Sequence, residues 1–352
     1  MKGCINHKKF WFALAFAGLL LAISGTGAGF TGHCGTCHGA PGFTMPTFHT
    51  AENLICAKCH TMHYSEDGTI PADAEIGGPF KSLLLKASST DVCLLCHQGP
   101  LNDSGAPIVL TLDGTMGGAN YPRLPGGDFY YSQTDQRNGH NPGGSVILSD
   151  TILTQSPGGT FAPADETCTS CHDPHGGSPA NDYRLLKKIP AGWTGGELIV
   201  TGLEAHPGSD EGGEGGTAPG QHTISNIIPG YYSGFSAWCG SCHSNPDGAG
   251  SGFHGSTKSD ADVSGDGVNW FRHPTDLELG DEIAGNYSST NDYDWEHPIE
   301  DVDASETVDS TDEVFCLSCH RVHGTPYFNS TRWDGSEPAG AGVSCNKCHA
   351  KG

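Results

Sequence analysis

Seven copies of the pattern Cys-x-x-Cys-His constrain this chain more than any other feature of it. They are Cys34-Cys37-His38, Cys56-Cys59-His60, Cys93-Cys96-His97, Cys168-Cys171-His172, Cys239-Cys242-His243, Cys316-Cys319-His320 and Cys345-Cys348-His349. Two thiols at this separation match the two vinyl groups on one edge of a porphyrin. The histidine that follows turns beneath the ring to ligate the iron, so the pattern is the c-type haem attachment sequence. Paired Cys-x-x-Cys units also occur in zinc knuckles, but zinc does not require a histidine directly after the second cysteine every time. Disulfides would leave the seven histidines unexplained. The expected cofactor is therefore haem c, seven per chain. The fourteen cysteines form the thioether bonds, and His38, His60, His97, His172, His243, His320 and His349 are proximal iron ligands.

A chain with this attachment chemistry does not need an ordinary core, and its composition does not provide one. Of 352 residues, 52 are Gly and 22 are Pro, and 36% are hydrophobic. Such a backbone is costly to order, and few side chains are available to offset that cost. The predicted fold is mostly irregular coil with short helices and a few short strands, a multihaem cytochrome c organised around a stacked haem chain. Ile108–Leu112, Val146–Leu153 and Leu198–Thr201 are strand candidates. Leu83–Ala87 and the attachment motifs themselves are candidates for helical turns. The first cysteines of successive motifs lie 22, 37, 75, 71, 77 and 29 residues apart, which is no solenoid period. Pro207–Gly220 reads as loop. Ser256–Gly267 and Glu300–Glu313 are acidic and expected to be solvated. Asp260-x-Asp262-x-Ser264-Gly265-Asp266 looks like the start of a calcium loop, although Phe271 stands where a closing Glu belongs.

Residues 1–28 read as a secretory signal peptide. Lys2, Lys8 and Lys9 form the positive region, Phe10–Ile23 the apolar region, and Thr26-Gly27-Ala28 a cleavage site. Residues 29–352 are expected to form one heptahaem unit, with 29–47 as an N-terminal haem segment. Loss of three lysines with the leader takes the formal charge from −23 to −26. That charge argues against a nucleic-acid partner and favours cationic surfaces, metal ions or mineral acceptors.

The histidine inventory decides the iron chemistry. Beyond the proximal seven and His7 in the leader, eleven remain: His33, His49, His63, His140, His175, His206, His222, His254, His273, His297 and His323. Four methionines are too few to serve seven irons. The sequence thus favours bis-histidine haems, with His49, His63, His140, His175, His273, His297 and His323 as distal ligands. Which histidine serves the N-terminal haem stays open among His33, His206, His222 and His254, and His33 is too close to Cys34 to serve that same haem. His63, His175 and His323 each lie three residues after a proximal histidine. That span is too short to round the ring edge, so each should reach the iron of a different haem. A six-coordinate iron has no open face for substrate, which leaves electron transfer rather than catalysis. A monomeric periplasmic shuttle is an alternative with the same haem chemistry. A multihaem reductase is another, but it needs an open haem.

Several stretches are more specific than the attachment motif. They include Phe48-His49, Cys59-His-Thr-Met-His63, Gly126-Gly-Asp-Phe129, Gly139-His-Asn141, Pro157-Gly-Gly-Thr160, Cys171-His-Asp-Pro-His-Gly176, Trp238-Cys239, Arg272-His-Pro274, Cys316-Leu-Ser-Cys-His-Arg321 and Cys345-Asn-Lys-Cys-His349. In these the chain resembles the extracellular multihaem cytochrome filaments of metal-reducing bacteria, most of all the hexahaem OmcS-type members. The resemblance implies polymerisation of copies of the chain into a conducting filament, fed by periplasmic or outer-membrane cytochromes. It also implies a distal ligand donated across the subunit interface, by His63 to the haem held by His320. The Cys34-Cys37-His38 site has no counterpart in the hexahaem pattern, and neither do His206 and His222.

Overall fold

The computed structural model describes residues 58–61, 64, 69–99, 108–112, 114, 126–156, 161–175, 183–203, 230–243, 275–285, 297–305, 307–334 and 347–348. These fall into two units, 58–87 and 88–348, each described by itself. The leader, the N-terminal haem segment and the Asp260 segment lie outside the described residues.

Regular structure is sparse, as the composition predicts. The helices are α1 (Ser89–His97), α2 (Phe129–Thr134), α3 (Cys168–Cys171), α4 (Phe235–His243), α5 (Gly280–Ala284) and α6 (Cys316–Cys319). None of them exceeds nine residues. The strands are β1 (Thr201–Leu203), β2 (Gly230–Ser233), β3 (Leu277–Glu278) and β4 (Glu313–Val314). β1 pairs antiparallel with β2, Gly202 opposite Tyr231, and β3 pairs antiparallel with β4, Leu277 opposite Val314. Glu300 lies between the two ribbons, bridging Tyr231 on one side and Glu313 on the other. No described helix is long and apolar enough to cross a membrane.

All four attachment motifs that are described in full, at Cys93, Cys168, Cys239 and Cys316, lie on helical turns. The other element expectations that fall on described residues are shifted or lost, and the loop expected at Pro207–Gly220 lies outside those residues. Leu83–Ala87 is not helical: a 3-10 turn at Lys81–Leu83 ends there, and Leu84 bridges His60 in extended form. The strand expected at 198–201 begins at Thr201. Ile108–Leu112 contributes one parallel bridge, Gln98 with Leu110. Val146–Leu153 forms no strand, because side chains satisfy its backbone instead of a neighbouring ladder. Asp150 accepts the N–H groups of Ile152 and Leu153 and Gln136 that of Thr151, while just before the segment the Asp91 carboxylate accepts the Ser145 N–H.

Hydrophobic packing is divided among small clusters. Val200, Tyr231, Phe235 and Phe315 make one, Leu279, Ile299 and Val314 a second, and Leu94, Leu110, Phe129 and Ile147 a third. Tyr231 meets both Phe235 and Phe315 with ring centres 5.0 Å apart. Among the described residues these clusters are small, and burial on this scale does little against the entropy of ordering coil. Two attachment helices start at the first cluster: Phe235 opens α4, and Phe315 immediately precedes α6.

Candidate haem-attachment sites

The attachment helices are packed in two similar pairs. In the first, α1 lies against α3: the Thr90 hydroxyl accepts the Cys168 N–H at 3.2 Å, and Ser89 and Thr169 join hydroxyls at 2.9 Å. In the second, α4 lies against α6, with the Cys316 thiol 3.8 Å from the Ser236 hydroxyl. Thr90 and Ser236 hold the same place, three residues before the first cysteine of their motif. In each pair the two first cysteines face one another, Cys93 with Cys168 and Cys239 with Cys316. α3 and α6 also start alike, Thr167 N–H donating to Ser170 Oγ and Phe315 N–H to Ser318 Oγ. The chain therefore carries a duplicated two-motif unit. Its trace in the sequence was the near-equal intervals of 75 and 77 residues within the two pairs, which a search for one fixed period passes over.

A second recurring device holds the proximal histidines of the Cys-His-x-x-His motifs. His60 Nδ1 donates to the Ser82 carbonyl at 3.0 Å, His172 Nδ1 to the Arg184 carbonyl at 2.9 Å, and His320 Nδ1 to the Asn329 carbonyl at 2.9 Å. Each accepting residue opens a left-handed pair: Ser82 and Leu83, Arg184 and Leu185, Asn329 and Ser330, all with φ between 51° and 59°. The backbone closes around each ring in the same way. The residue after the histidine donates to the second member of the pair: Thr61 to Leu83, Asp173 to Leu185, Arg321 to Ser330. The cysteine before the histidine accepts from the residue two beyond the pair: Leu85 to Cys59, Lys187 to Cys171, Arg332 to Cys319. A bond from Nδ1–H to a carbonyl fixes the tautomer and turns Nε2 outward, the arrangement that metal-ligating imidazoles use. No sequence rule for these clasps was available, since left-handed Leu, Arg and Ser carry no local signal.

Left-handed non-glycine residues are strained, which makes one clasp testable. Arg184→Val puts a β-branched residue into that region and should lower stability by about 1–2 kcal/mol. Arg184→Gly loses the same guanidinium without the strain, and should not. Equal denaturation midpoints for the two variants would show that the clasp does not hold this conformation.

Two of the expected distal histidines lie opposite proximal ones. The His323 and His172 ring centres are 6.3 Å apart, and those of His140 and His243 are 5.8 Å apart. Two imidazoles on opposite faces of one iron, each nitrogen about 2 Å from the metal, would hold their ring centres roughly 6 Å apart. His140 is anchored through Nδ1 to the Val322 carbonyl at 2.8 Å, which leaves its Nε2 free to turn to a metal. Burial, followed by the neighbouring His172, His140 and His97, pushes His323 down to about 3, and burial also lowers His172. Both are thus kept in the neutral form that a metal requires.

Glycines make room for this arrangement. Phe129 stacks on His323 with ring centres 4.5 Å apart. A Cβ on Gly126 would come within 2.8 Å of His323 Nδ1, and one on Gly139 would run into the His323 carbonyl. Gly127, in the left-handed region at φ 83°, bridges Gly324. The buried Asp128 carboxylate ties these parts together, accepting from the Thr111 N–H at 3.1 Å, the Thr111 hydroxyl and the Tyr130 N–H at 2.9 Å. The Gly126-Gly-Asp-Phe129 and Gly139-His-Asn141 stretches therefore form a cradle around His323 and His140.

Two other candidate ligands are described. His175 is exposed beside Asp173, whose carboxylate accepts its N–H at 3.0 Å. His297 is buried, its ring centre 5.0 Å from that of Trp333 next to the His320 clasp. Cys34, Cys37, His38, Cys56, Cys345 and His349 lie outside the described residues, as do His33, His49, His63, His206, His222, His254 and His273. The described sites fit haem c: the motifs lie on helical turns, the rings held through Nδ1 keep Nε2 as the unprotonated nitrogen, and opposed rings are spaced for one iron between them.

No family model matches the chain. Among curated proteins it is similar to C-type cytochrome OmcS of Geobacter sulfurreducens, 28% identical over 361 aligned positions, covering 82% of this chain and 80% of the relative. Among solved structures it is similar in fold to the outer membrane cytochrome S filament from the same organism. The TM-score there is 0.50 at 23% identity, over 80% of this chain and 84% of that one. A cryo-EM structure of OmcS nanowires aligns with a TM-score of 0.49 at 22% identity, over 80% and 83%.

Proposed function

We propose, for a chain that belongs to the family of OmcS-type multihaem c-type cytochromes, that it carries electrons outside the cell through seven bis-histidine haems and polymerises into a conductive filament. The observation that carries this reading is the pairing of imidazoles at haem-spanning separation, His323 with His172 and His140 with His243, one ring of each pair, His172 and His140, being held through Nδ1. When bound, haem iron supplies one-electron exchange. The chain's own part is to fix ligands, spacing and access. The clasps orient His60, His172 and His320, the glycine cradle delivers His323 and His140, and the pairs His172–His323 and His243–His140 would each hold one iron from both faces. The protein then acts as a carrier and not as an enzyme. Packing of α1 on α3 and of α4 on α6, first cysteine to first cysteine, would bring the attached edges of two haems together twice over. Short edge separations favour transfer from site to site.

The filament rests on likeness to proteins that form one and on one pairing within this chain. His323 belongs to the sixth motif and faces His172 of the fourth, two motifs back. The same step taken from His63 in the second motif leads out of the chain, toward another copy. A donated ligand of that kind would make assembly depend on haem loading. The expected partners are further copies of the chain, upstream periplasmic or outer-membrane cytochromes, and mineral or metal-ion acceptors.

Intact-mass measurement of the secreted protein should show seven covalent haem additions after cleavage near Ala28. Electron microscopy of the same fraction should show filaments. His63→Ala should leave a haem-loaded monomer with one haem lacking its second histidine. Normal filaments from that variant would refute the His63 interface, and a wild type that stays monomeric would return the protein to the shuttle reading.

A further inference from the structure

The acidic segment at 300–313 is exposed at 302–305, 307 and 311, as its composition predicts, but three of its carboxylates are not. Glu300, Asp301 and Asp312 are 2%, 0% and 0% exposed. The antiparallel bridge between Glu300 and Glu313, with N–H to carbonyl distances of 2.9 Å in both directions, closes the twelve residues between them into a loop. A further bond, from the Asp301 N–H to the Tyr231 carbonyl at 2.8 Å, ties the loop to β2. Carboxylate oxygens of Asp301, Asp303 and Asp312 all lie within 4.8 Å of one another.

Acidic groups crowd together on many surfaces without consequence, but one atom here requires a partner. Asp312 is fully buried, its Oδ2 accepts the Asp309 N–H at 2.8 Å, and its Oδ1 has no hydrogen-bond partner. A buried carboxylate oxygen facing two other carboxylates is unfavourable on two counts, desolvation and like charge. Burial first, and then Asp301, Asp309 and Asp303, push Asp312 up to about 7. A hard divalent cation removes both penalties at once.

The spacing of the loop is that of a calcium site. Asp301, Asp303, Ser305, Thr307, Asp309 and Asp312 occupy positions 1, 3, 5, 7, 9 and 12, the ligand positions of an EF-hand loop, with the bidentate closing Glu replaced by Asp. Position 6, usually Gly, is Glu306. The Ser305 N–H reaches both the Asp301 and Asp303 carboxylates at 3.0 Å, so the loop is already turned inward, and the Ser305 hydroxyl and Thr307 carbonyl stand 3.0 Å apart as further oxygen donors.

We infer that residues 301–312 bind one calcium ion through the carboxylates of Asp301, Asp303 and Asp312. Oxygen donors alone, and several of them anionic, select a hard cation. An irregular loop with carboxylates that can bind through one or both oxygens suits calcium better than the compact octahedron of magnesium. The site joins β2 to β4 and so to α6, where Cys316, Cys319 and His320 begin two residues beyond Val314. Calcium would therefore stiffen the approach to one haem-attachment helix, a structural role independent of electron transfer and of the filament.

The test uses the secreted, haem-loaded protein, stripped with a chelator and titrated with calcium by calorimetry, with thermal unfolding followed in parallel. The expected result is one calcium per chain and a higher unfolding midpoint with calcium than with an equal concentration of magnesium. Asp301→Asn and Asp312→Asn should each weaken binding at least tenfold, while Asp276→Asn and Asp260→Asn leave it unchanged. Without calcium, Asp312→Asn should unfold at or above the wild-type midpoint, because one of three opposed carboxylates is gone. That result separates lost binding from lost folding. A wild-type midpoint that ignores calcium, or binding that survives Asp301→Asn and Asp312→Asn but disappears in Asp260→Asn, would overturn the assignment.

Discussion

Replacing His323 with alanine should convert one low-spin haem per chain into a high-spin or water-ligated haem, with the number of covalently attached haems unchanged. The attachment cysteines of every motif remain, so the mass should fall only by the side-chain difference. His172 would keep its clasp, because its bond to Arg184 does not involve His323. What is lost is the ring 6.3 Å from His172 across the iron position, and alanine offers nothing in its place. The charge-transfer band of an open haem should appear at one equivalent in the visible spectrum. Stability should fall as well, by roughly 2–4 kcal/mol, because a packed aromatic ring is removed and its stack on Phe129 goes with it. His140→Ala should open a different haem, the one held by His243, and the double variant should open two. A fully low-spin spectrum from His323→Ala would remove it from the ligand set.

The second large effect is expected at a residue that touches no iron. Gly127→Ala should destabilise the protein by roughly 3 kcal/mol or more and loosen the ligation of both haems served from the cradle. Gly127 has φ 83°, which an L side chain adopts at a cost of about 1–2 kcal/mol. Its Cβ would also drive into the Gly324 carbonyl, which is backbone and cannot rotate away. Two hydrogen bonds depend on that contact, Asp128 N–H to Gly324 at 2.9 Å and His323 N–H to Gly126 at 2.6 Å. Gly99→Ala is the comparison. It has φ 119° with nothing within 4 Å of the added carbon, so it bears the backbone strain alone. Chemical denaturation of both variants reads the difference. Equal losses would mean that the Gly127–Gly324 approach contributes nothing beyond conformational strain.

The fold class was readable in advance because scarcity of core-forming residues is a property of composition. A chain with this much Gly and Pro cannot build long elements, and the structure has none beyond nine residues among those described. The strand expected at Val146–Leu153 was not readable as coil, because its backbone N–H groups are taken by side chains, those of Ile152 and Leu153 by Asp150 and that of Thr151 by Gln136, 15 residues away. The acidic loop follows its composition except at Glu300, Asp301 and Asp312, which are buried. Charge predicts solvation only where nothing closes over it, and at those three the Glu300–Glu313 bridge and the bond from Asp301 to the Tyr231 carbonyl do.

What the sequence determined by itself is the covalent chemistry: which cysteines would hold haem and which histidine follows each of them. That information is local, since two thiols and an imidazole within five residues share one helical turn and one porphyrin edge. The tertiary structure decided which histidines stand opposite one another. His140 is anchored by a carbonyl 182 residues away, and His323 is set by its contact with Gly126 and by the Gly127–Gly324 bridge. An axial pair requires two rings to meet within about an ångström of a fixed separation. Backbone contacts between distant segments set that distance, and no local pattern encodes it.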